Sequence, residues 1–464
     1  MQFIKFVSME KINVVICWFR RDLRIIDNPA LFYALNSGLP VLPLFIFDTG
    51  ILSKLPPLSP DKRVSFIHRA LSLLEKEFKS RESFLLSIKG NPADVFSQLT
   101  SSPINEFIDI KEVHYNKDYE PEAIKRDHNI SEILLSKGIK LISHKEQVIF
   151  EENEIVKKDG TPYTVYTPYS KKWIENLLST TESVLNESPA EKHLHNLAKE
   201  SLLSGIIKES FTGFNIVLPS IATIGFTKSA HNIALPFHIS EIIIDNYHNT
   251  RDIPSLQQTS MLSPHLRFGT IGIKRAVRSA LNNTVFLKEL VWREFFKMIL
   301  FHFPYVQDNS FKEKYRFIEW RNDYEEFIRW CEGNTGYPIV DAGMRELNAT
   351  GLMHNRVRMI TASFLTKNLL IDWKIGEAYF AEKLLDYDLS SNNGNWQWVA
   401  GTGCDAAPYF RIFNPYEQTR KYDPDSLYIK KWVPEYKEKS YPEPICNHKE
   451  ARERTLQAYG RVLL

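Results

Sequence analysis

The apolar run VVICWF (residues 14–19) ends abruptly at the charged segment RRDLR (residues 20–24). Further short apolar runs follow it: VLPLFIF (41–47), FLLSI (84–88), VHYN (113–116) and KLIS (140–143). Amphipathic stretches such as 62–78 and 120–137 separate these runs, which is the alternation typical of βαβ units. We therefore predict an α/β domain over residues 11–142, with a parallel sheet flanked by helices.

This domain is expected to be Rossmann-like without binding a nicotinamide dinucleotide. Its glycines, Gly38, Gly50, Gly90 and Gly138, are too far apart to form the G-x-G-x-x-G turn. That turn is what lets the backbone approach a pyrophosphate closely. A parallel sheet without it is compatible with other ligands.

The pattern changes after residue 142. Residues 143–219 are polar and punctuated by Pro and Gly, so we predict an interdomain connector there. Residues 220–464 lose the strand pattern, and we predict an all-α domain. Helical spacing is found over 271–281, 285–302, 324–331, 339–349, 353–370 and 375–385.

Composition indicates an ordinary globular chain of 464 residues, with 43% hydrophobic and 25% charged residues, enough for two or three domains. A net charge of +2 means that nucleic-acid binding would need a local basic face. The four cysteines form no C-x-x-C pair, so we expect free thiols rather than a distant iron–sulfur cluster, no metal, and a reduced, cytoplasmic location. No signal peptide or membrane-spanning run is present.

The stretch DYDLSSNNGNWQWVAGTGCDAAPYFRIFNP (386–415) concentrates polar and aromatic side chains and shows little helix or strand period. Carboxylates accept hydrogen bonds, amides donate and accept, and indoles offer flat polarisable faces, which together suit a flat heteroaromatic ligand. Taken alone, the stretch is better explained as an Asn/Gly turn beside core tryptophans. The residues concerned are Asp386, Asp388, Asn392, Asn393, Trp396 and Trp398.

Two segments, KELVWREFF (288–296) and MHNRVRM (353–359), place unlike side chains on one helix face, because residues at i, i+3 and i+4 are neighbours. A surface ion pair beside a half-buried Trp explains the first segment equally well. Buried Asn and Arg in the second would need partners or water. The two sets are Glu289, Trp292 and Arg293, and Asn355, Arg358 and Met359.

The segment TSMLSPHLRFG (259–269) places hydroxyls ahead of an expected helix start near Ser263 and Pro264. A helix N-terminus with flanking hydroxyls can hold a phosphate. It is also the ordinary signature of a helix cap, which is the more frequent explanation of such a pattern.

Taken together, these segments closely resemble the photolyase/cryptochrome flavoprotein family. The resemblance runs from about residue 14 to about residue 435 and is most like a class I cyclobutane pyrimidine dimer photolyase. It implies light-dependent repair of pyrimidine dimers by electron transfer from excited reduced FAD. The matching segments, in order, are CWFRRDLRIIDNPAL (17–31), TPYSKKW (167–173), TSMLSPHLRFG, ELVWREFF (289–296), TGYPIVDAGMRELNATGLMHNRVRM (335–359) and NNGNWQWVAGTGCDAAPYFRIFNP (392–415).

The resemblance implies an FAD pocket in the helical domain. Arg358 and Asp386 match an ion pair against the flavin ring, and Asp388 matches the acceptor for a ring N–H. Asn392 should face flavin N5, where an amide favours reduced flavin without adding charge; cryptochrome relatives often have Asp or Cys there. The remaining matches, on the phosphate and adenine side, are Tyr247, Thr259, Ser260, Leu262, Ser263 and Arg293.

The tryptophans receive different roles from the resemblance. Trp396 matches the flavin-proximal member of an electron-transfer chain that continues through Trp373 to Trp320. Trp398 matches one wall of the lesion cavity, opposite Trp292. In a helix the side chains of residues 396 and 398 diverge by about 200°, so the two can serve different purposes.

The resemblance also implies a lesion and DNA surface. Glu289 matches the acid that hydrogen-bonds the dimer and stabilises its radical anion. Asn355 and Met359 occupy positions where (6-4) photolyases have catalytic histidines, so a cyclobutane dimer is the expected lesion. Further DNA contacts are Arg251, Arg356, Arg411 and Gln418, with a basic rim of Arg420, Lys421, Lys430 and Lys431, for which solvated surface charge is the alternative.

Several expectations remain alternatives at this point. A second, antenna chromophore could be a folate, a deazaflavin or another flavin, or be absent, because the Asn-Glu pair that contacts folate in relatives is replaced by Pro121-Glu122. Leu352 replaces a Trp of some relatives. Retention of Trp292 and Trp398 favours duplex UV-damaged DNA as the substrate of a monomer. A cryptochrome-like blue-light receptor is the alternative function, and a flavin oxidoreductase without DNA a third.

Overall fold

The computed structural model describes residues 10–210, 217–231, 233–256 and 258–463. It contains a five-stranded, wholly parallel sheet with strand order β3-β2-β1-β4-β5. Each strand coincides with one of the predicted apolar runs, so the predicted α/β class is confirmed. The strands are β1 (Ile12–Phe19), β2 (Val41–Asp48), β3 (Leu86–Gly90), β4 (Ile108–Asn116) and β5 (Lys140–His144).

Strand β1 is the centre of the sheet and is buried on both faces. Val14, Val15, Ile16 and Cys17 are all 0% exposed. Helices cover both sides of a parallel sheet, so its central strands consist of continuous apolar residues instead of alternating ones. This explains why the strand signal in VVICWF is a run and not an alternation.

The charged segment after β1 forms hydrogen bonds and ion pairs at the carboxyl ends of β1 and β4, where the order of strands reverses. The Arg20 guanidinium donates to the Asp127 carboxylate at 2.6 Å and lies 4.8 Å from the Trp18 ring centroid. Asp22 accepts from the Asn116 amide at 2.5 Å, at the end of β4. The carboxyl ends of β1 and β4 are thus joined by hydrogen bonds at the position where open α/β sheets commonly bind ligands.

Among the described residues, the other regular elements are helices. The helices are α1 (Pro29–Leu35), α2 (Thr49–Leu52), α3 (Lys62–Lys79), α4 (Pro92–Leu99), α5 (Pro121–Leu135), α6 (Tyr166–Val184), α7 (Glu200–Ser210), α8 (Ile221–Ile224), α9 (Glu241–Asp245), α10 (Tyr247–Thr250), α11 (Ser263–Arg267), α12 (Ile273–Ala280), α13 (Thr284–His302), α14 (Tyr324–Glu332), α15 (Pro338–Thr350), α16 (Asn355–Ser363), α17 (Trp373–Lys383), α18 (Leu389–Ala400), α19 (Pro415–Tyr422), α20 (Leu427–Trp432) and α21 (His448–Arg461).

The observed helices α12 to α17 coincide with the six helical segments predicted between residues 271 and 385. Gly351, with a φ of 74°, ends α15 in the left-handed conformation that favours glycine. Helix α16 continues through a π-helical turn at Phe364–Asn368, where the single long helix predicted over 353–370 is interrupted.

The expectation that residues 386–415 lack regular structure was wrong for α18. Asp388 caps this helix by accepting from the backbone N–H of Ser391 at 3.1 Å. Polar and apolar residues are buried together, including Asn392, Asn393 and Trp396. Because the buried face itself carries polar side chains and the more exposed face includes Trp398, hydropathy does not follow burial, and the sequence carries no amphipathic period.

The chain forms two compact units, each discontinuous in sequence. Unit 1 comprises residues 1–149, 182–238 and 265–276, and unit 2 comprises residues 150–181, 239–264 and 277–464. The predicted connector is therefore shared between the units, and residues 211–216 of it lie outside the described residues. The boundaries expected at residues 142 and 219 stay predictions.

Two features of the structure bear on the predicted compartment. Within the described residues, no helix combines the length and the apolar character needed to cross a membrane. All four cysteines are free thiols.

Asp341 is a buried carboxylate that fixes part of unit 2. It accepts hydrogen bonds from the Thr335 backbone N–H at 2.8 Å, the Thr335 hydroxyl at 2.6 Å, the Gly336 N–H at 3.1 Å and the Tyr441 hydroxyl at 2.5 Å. One side chain on α15 thus holds the preceding loop and the chain around residue 441. Removing it would leave four donors without their acceptor.

We predict that Asp341→Ala lowers the free energy of unfolding by about 3 kcal/mol, because buried donors lose their partner. Urea denaturation of the purified variant measures this change. The control is Glu453→Ala on the exposed side of α21, for which a change within about 0.5 kcal/mol is expected. Equal stability of the two variants would contradict the structural role of Asp341.

Candidate active site

All of the residues matched to flavin, lesion or DNA lie in unit 2, whereas Glu122 lies in unit 1. They are carried mainly by α13, α16 and α18 and by the segment from α10 to α11. The sequence thus predicted a set of positions that one compact unit contains.

A buried ion pair joins α13 to the start of α18. Lys297 Nζ donates to Asp388 Oδ2 at 3.0 Å, and the side chains are 2% and 10% exposed. The other carboxylate oxygen accepts from the Ser390 hydroxyl at 2.6 Å and caps the helix. Asp388 therefore fixes both the N-terminus of α18 and its position on α13.

A second ion pair joins α16 to the chain before α18. Arg358 Nη2 donates to Asp386 Oδ2 at 2.8 Å, and the Ser263 hydroxyl donates to the same oxygen at 2.6 Å. Arg358 Nε also donates to the Met353 carbonyl at 2.8 Å. The predicted pair Arg358 and Asp386 is thus brought together, with Ser263 of the predicted phosphate side beside it.

Asn392 is oriented by a buried acid on α17. Its Nδ2 donates to Glu377 Oε1 at 2.8 Å and to the Glu377 carbonyl at 3.1 Å. Burial raises the pKa of Glu377, and the hydrogen bond from Asn392 partly opposes this. Because the amide nitrogen is engaged by Glu377, the amide oxygen is the group that Asn392 offers to a ligand.

Two neighbouring ion pairs join the segment after α10 to α13 and α16. Arg251 Nη1 lies 2.7 Å from Glu289 Oε1, and Arg356 Nη2 lies 2.7 Å from Asp252 Oδ1. Burial raises the pKa of Glu289, while the adjacent Arg251 opposes the rise. The Arg251 guanidinium also lies 5.2 Å from the ring of Tyr247. These contacts gather three of the predicted lesion residues, Arg251, Glu289 and Arg356.

The tryptophans of α18 have the different environments that their helical separation predicts. Trp396 is 2% exposed and packs on Phe380, with ring centroids 5.0 Å apart. Trp373 is buried in the same apolar cluster, and half-buried Trp320 packs against it. Trp398 is half-buried, and the Arg411 guanidinium lies 5.9 Å from its ring.

Trp292 on α13 is half-buried and stacks on Tyr166, with centroids 3.5 Å apart and planes at 5°. Phe296 packs against the same indole at 5.3 Å. Phe296 and Trp398 both line one small cleft, so the two tryptophans matched to the lesion are linked through a shared neighbour.

The remaining predicted residues differ in their exposure. Leu262 is buried, whereas Tyr247, Thr259, Ser260, Arg293, Met359 and Gln418 are half-buried. Asn355, Arg411 and the rim residues Arg420, Lys421, Lys430 and Lys431 are exposed. Glu122, in the first turn of α5, is exposed as well.

Sequence reasoning missed the partners of the predicted residues. Lys297 carried a readable signal, because a lysine inside the apolar helix segment FFKMIL needs a buried anion. Glu377 and Asp252 carried no such signal, because an acidic residue in a helix or a turn is ordinarily exposed to solvent. Tyr166 was read as part of the connector.

Among the described residues, no group of three or more His, Cys, Asp and Glu side chains is arranged to hold a metal ion.

Comparisons with known proteins agree on one family. A model described as the FAD binding domain of DNA photolyase matches residues 286–440, and one described as DNA photolyase matches residues 15–190. The deoxyribodipyrimidine photo-lyase of Halobacterium salinarum is 35% identical to this chain, over 96% of the chain and 98% of that protein. The chain belongs to the DNA photolyase family.

Two solved structures are similar over almost the whole chain. A bacterial class III photolyase from Agrobacterium tumefaciens has a TM-score of 0.79 and 32% identity, covering 99% of each chain. An archaeal photolyase from Sulfolobus tokodaii, described with two FAD molecules, has a TM-score of 0.79 and 31% identity, covering 97% of this chain and 100% of that one.

The buried polar groups fit a flavin. The Arg358–Asp386 pair, the Asp388 carboxylate and the Asn392 amide oxygen supply the donor and acceptors that a heteroaromatic ring with N–H and carbonyl groups requires. FAD binding by this chain therefore agrees with its family and with the chemistry of its donor set.

We predict that Lys297→Met lowers the free energy of unfolding by about 3 to 5 kcal/mol, because it leaves Asp388 buried without its cation. Denaturant unfolding of the variant measures the loss. The double variant Lys297→Met with Asp388→Asn should recover part of it, since the uncompensated charge is removed. A loss in the double variant equal to the sum of the losses in the two single variants would contradict a direct pairing.

Proposed function

We propose that this protein repairs cyclobutane pyrimidine dimers in UV-damaged DNA in a light-dependent reaction, as a carbon–carbon lyase. One observation carries the proposal: α13 and α18 each carry residues of both matched sites and are joined by the buried Lys297–Asp388 pair. A flavin bound between Arg358, Asp386 and Asn392 would then be close to a base stacked on Trp292 or Trp398. The name deoxyribodipyrimidine photo-lyase, which the Halobacterium salinarum relative bears, supports the same reaction.

The proposed FAD site assigns one task to each polar group. Arg358 and Asp386 would lie against the flavin ring, Asp388 would accept from a ring N–H, and the Asn392 oxygen would accept from the N–H at N5. Glu377 holds the Asn392 amide in the required orientation. The phosphate and adenine side belongs to Tyr247, Thr259, Ser260, Leu262, Ser263 and Arg293.

The proposed lesion site uses Glu289 and the tryptophan walls. An extruded dimer stacks on Trp292 and Trp398, and such stacking is worth about 1 to 3 kcal/mol per base. Glu289 and Arg251 together place a hydrogen-bonding acid and a cation where negative charge develops on the dimer. Asn355 and Met359 line the same cavity, and Arg356, held by Asp252, contacts the DNA.

Bound, reduced and light-excited FAD supplies one electron to the dimer and receives it back, so the reaction has no net redox change. Trp396, Trp373 and Trp320 serve to reduce the flavin beforehand. Trp396 and Trp373 are buried in one apolar cluster and Trp320 packs against it, a placement that this series of tryptophans needs but that Trp432 shares.

The DNA partner is proposed to be duplex, because both lesion-stacking tryptophans, Trp292 and Trp398, are retained; extruding a damaged, poorly stacked pair costs only a few kcal/mol. Arg411, Gln418 and the basic rim would add phosphate contacts. We also propose that the protein acts as a monomer and lies in the cytoplasm, the latter consistent with its four free thiols.

A second chromophore of folate, deazaflavin or flavin type would only add to light capture. Glu122 is exposed and available for such a contact, and the two FAD molecules of the Sulfolobus tokodaii structure support a flavin as one choice. The cryptochrome-like alternative is not favoured, because the Halobacterium salinarum relative, which matches 96% of the chain, is named a deoxyribodipyrimidine photo-lyase.

The function is tested by the light-dependent loss of dimers from a duplex oligonucleotide, with the dark reaction as control. We predict that Trp396→Phe slows photoreduction of oxidised FAD at least about tenfold. The repair rate of the chemically reduced variant should stay within about twofold of wild type. Trp432 is a half-buried tryptophan outside the proposed electron-transfer series, so Trp432→Phe should change neither rate. Absence of repair by reduced wild-type protein would refute the proposed function, and normal photoreduction of the variant would refute the tryptophan chain.

The basic rim gives a separate prediction. Replacing Lys421, Lys430 and Lys431 with Gln should reduce the slope of log affinity against log salt by about 0.9 for each lost phosphate contact. The measurement is binding of dimer-free duplex at several salt concentrations. Lys140→Gln, an exposed lysine of unit 1, is the control and should leave the slope unchanged. An unchanged slope in the triple variant would assign these lysines to solvent.

A further inference from the structure

The ring of Tyr166 covers one face of Trp292. The two centroids are 3.5 Å apart and the planes are 5° from parallel, while Phe295 meets the indole edge-on at 5.6 Å. Because the planes are nearly parallel and the centroids only 3.5 Å apart, the two rings overlap face to face with little offset. Tyr166 thus covers one face of Trp292, and Phe296 lies against the same indole at 5.3 Å with its plane tilted by 31°.

The phenol group fixes the ring of Tyr166 on α13. The Tyr166 hydroxyl donates to the Lys288 carbonyl at 2.9 Å, one residue before Glu289. Burial raises the pKa of Tyr166, and the negative charge of Glu289 adds to the rise. The hydroxyl therefore remains a proton donor at neutral pH.

The backbone of Tyr166 reaches the other wall. Its N–H donates to Asp405 Oδ2 at 2.8 Å. Asp405 lies in the loop after α18, and Ala407 of this loop donates from its N–H to the Trp398 carbonyl at 3.1 Å. Asp405 also lines the cleft that contains Trp398 and Phe296.

The segment that carries Tyr166 is itself held on α13. Trp173 Nε1, on α6, donates to Glu294 Oε1 at 2.6 Å, and the Phe150 N–H donates to the same oxygen at 2.9 Å. Glu294 is 2% exposed. Three contacts thus hold this segment on α13: the Phe150 N–H before α6, the Trp173 indole within α6, and the Tyr166 hydroxyl.

We propose that Tyr166 is a positioning residue for lesion recognition, which holds Trp292 in its stacking orientation and couples it through Asp405 to the chain that carries Trp398. The inference rests on the proposed repair function, because it gives Trp292 and Trp398 their role. It assigns a function to a residue that touches neither flavin nor substrate. Part of the predicted connector thereby belongs to the recognition site.

Three variants of the full chain separate the contributions. Tyr166→Leu removes the ring, Tyr166→Phe keeps the ring and removes the bond to Lys288, and Asp405→Ala keeps the ring and removes the backbone anchor. The matched control is Tyr163→Leu, the same chemical change three residues earlier, at a ring that packs on Tyr169 at 6.3 Å. Binding of dimer-containing and undamaged duplex, flavin content and single-turnover repair are measured for each.

Tyr166→Leu is expected to weaken binding of dimer DNA about tenfold, with flavin content and binding of undamaged DNA unchanged. Its KM should rise while the repair rate of bound dimer stays within about threefold. Tyr166→Phe should restore lesion binding to within about threefold of wild type, and Asp405→Ala should weaken it by about threefold.

The inference is overturned if Tyr166→Leu and Tyr163→Leu bind dimer DNA equally. It is also overturned if Tyr166→Leu loses flavin, or loses damaged and undamaged DNA in parallel, since both indicate a merely structural residue. Wild-type protein that does not prefer dimer DNA would instead refute the proposed function, and the inference with it.

Discussion

The buried contact between Lys297 and Asp388, 3.0 Å long, is the interaction on which the geometry of the site depends. A charge buried alone is costly, so each partner requires the other in place. Because Asp388 also caps α18, the pair sets where this helix starts and where it rests on α13. Helix α13 carries Glu289, Trp292 and Arg293, and α18 carries Asn392, Trp396 and Trp398. One contact therefore controls the relation between the proposed flavin and lesion residues.

A helix buried on several sides allows α18 to serve different purposes. Trp396 is enclosed by Phe380 and the apolar cluster of unit 2, while Trp398 adjoins a cleft and Arg411. Asn392 lies four residues before Trp396 and so on nearly the same side of the helix, where Glu377 of α17 orients its amide. The buried polar groups of α18 need partners, which Glu377 and the backbone carbonyls of Val306 and Asn309 provide.

The sequence predicted most of the fold because the buried central strands leave continuous apolar runs and α12 to α17 leave a helical period. It failed at α18, where the buried side chains are largely polar and hydropathy does not follow burial. The candidate site was predicted only as a set of positions, through motif resemblance. Glu377 and Lys297 are far in sequence from Asn392 and Asp388, so their pairing is a consequence of tertiary structure. Tyr166 was missed because a polar, Pro-containing segment indicates a connector, and stacking on Trp292 has no local signature.

The central claim is that α13 and α18 bring a flavin and a pyrimidine dimer into one continuous site. The most direct measurement is the absorption spectrum of the FAD-loaded protein during titration with oligonucleotides in the dark. A dimer bound beside the ring changes its surroundings, so dimer-containing duplex should shift the flavin bands and undamaged duplex should not. Tight binding of the dimer without any change in the flavin spectrum would contradict the account.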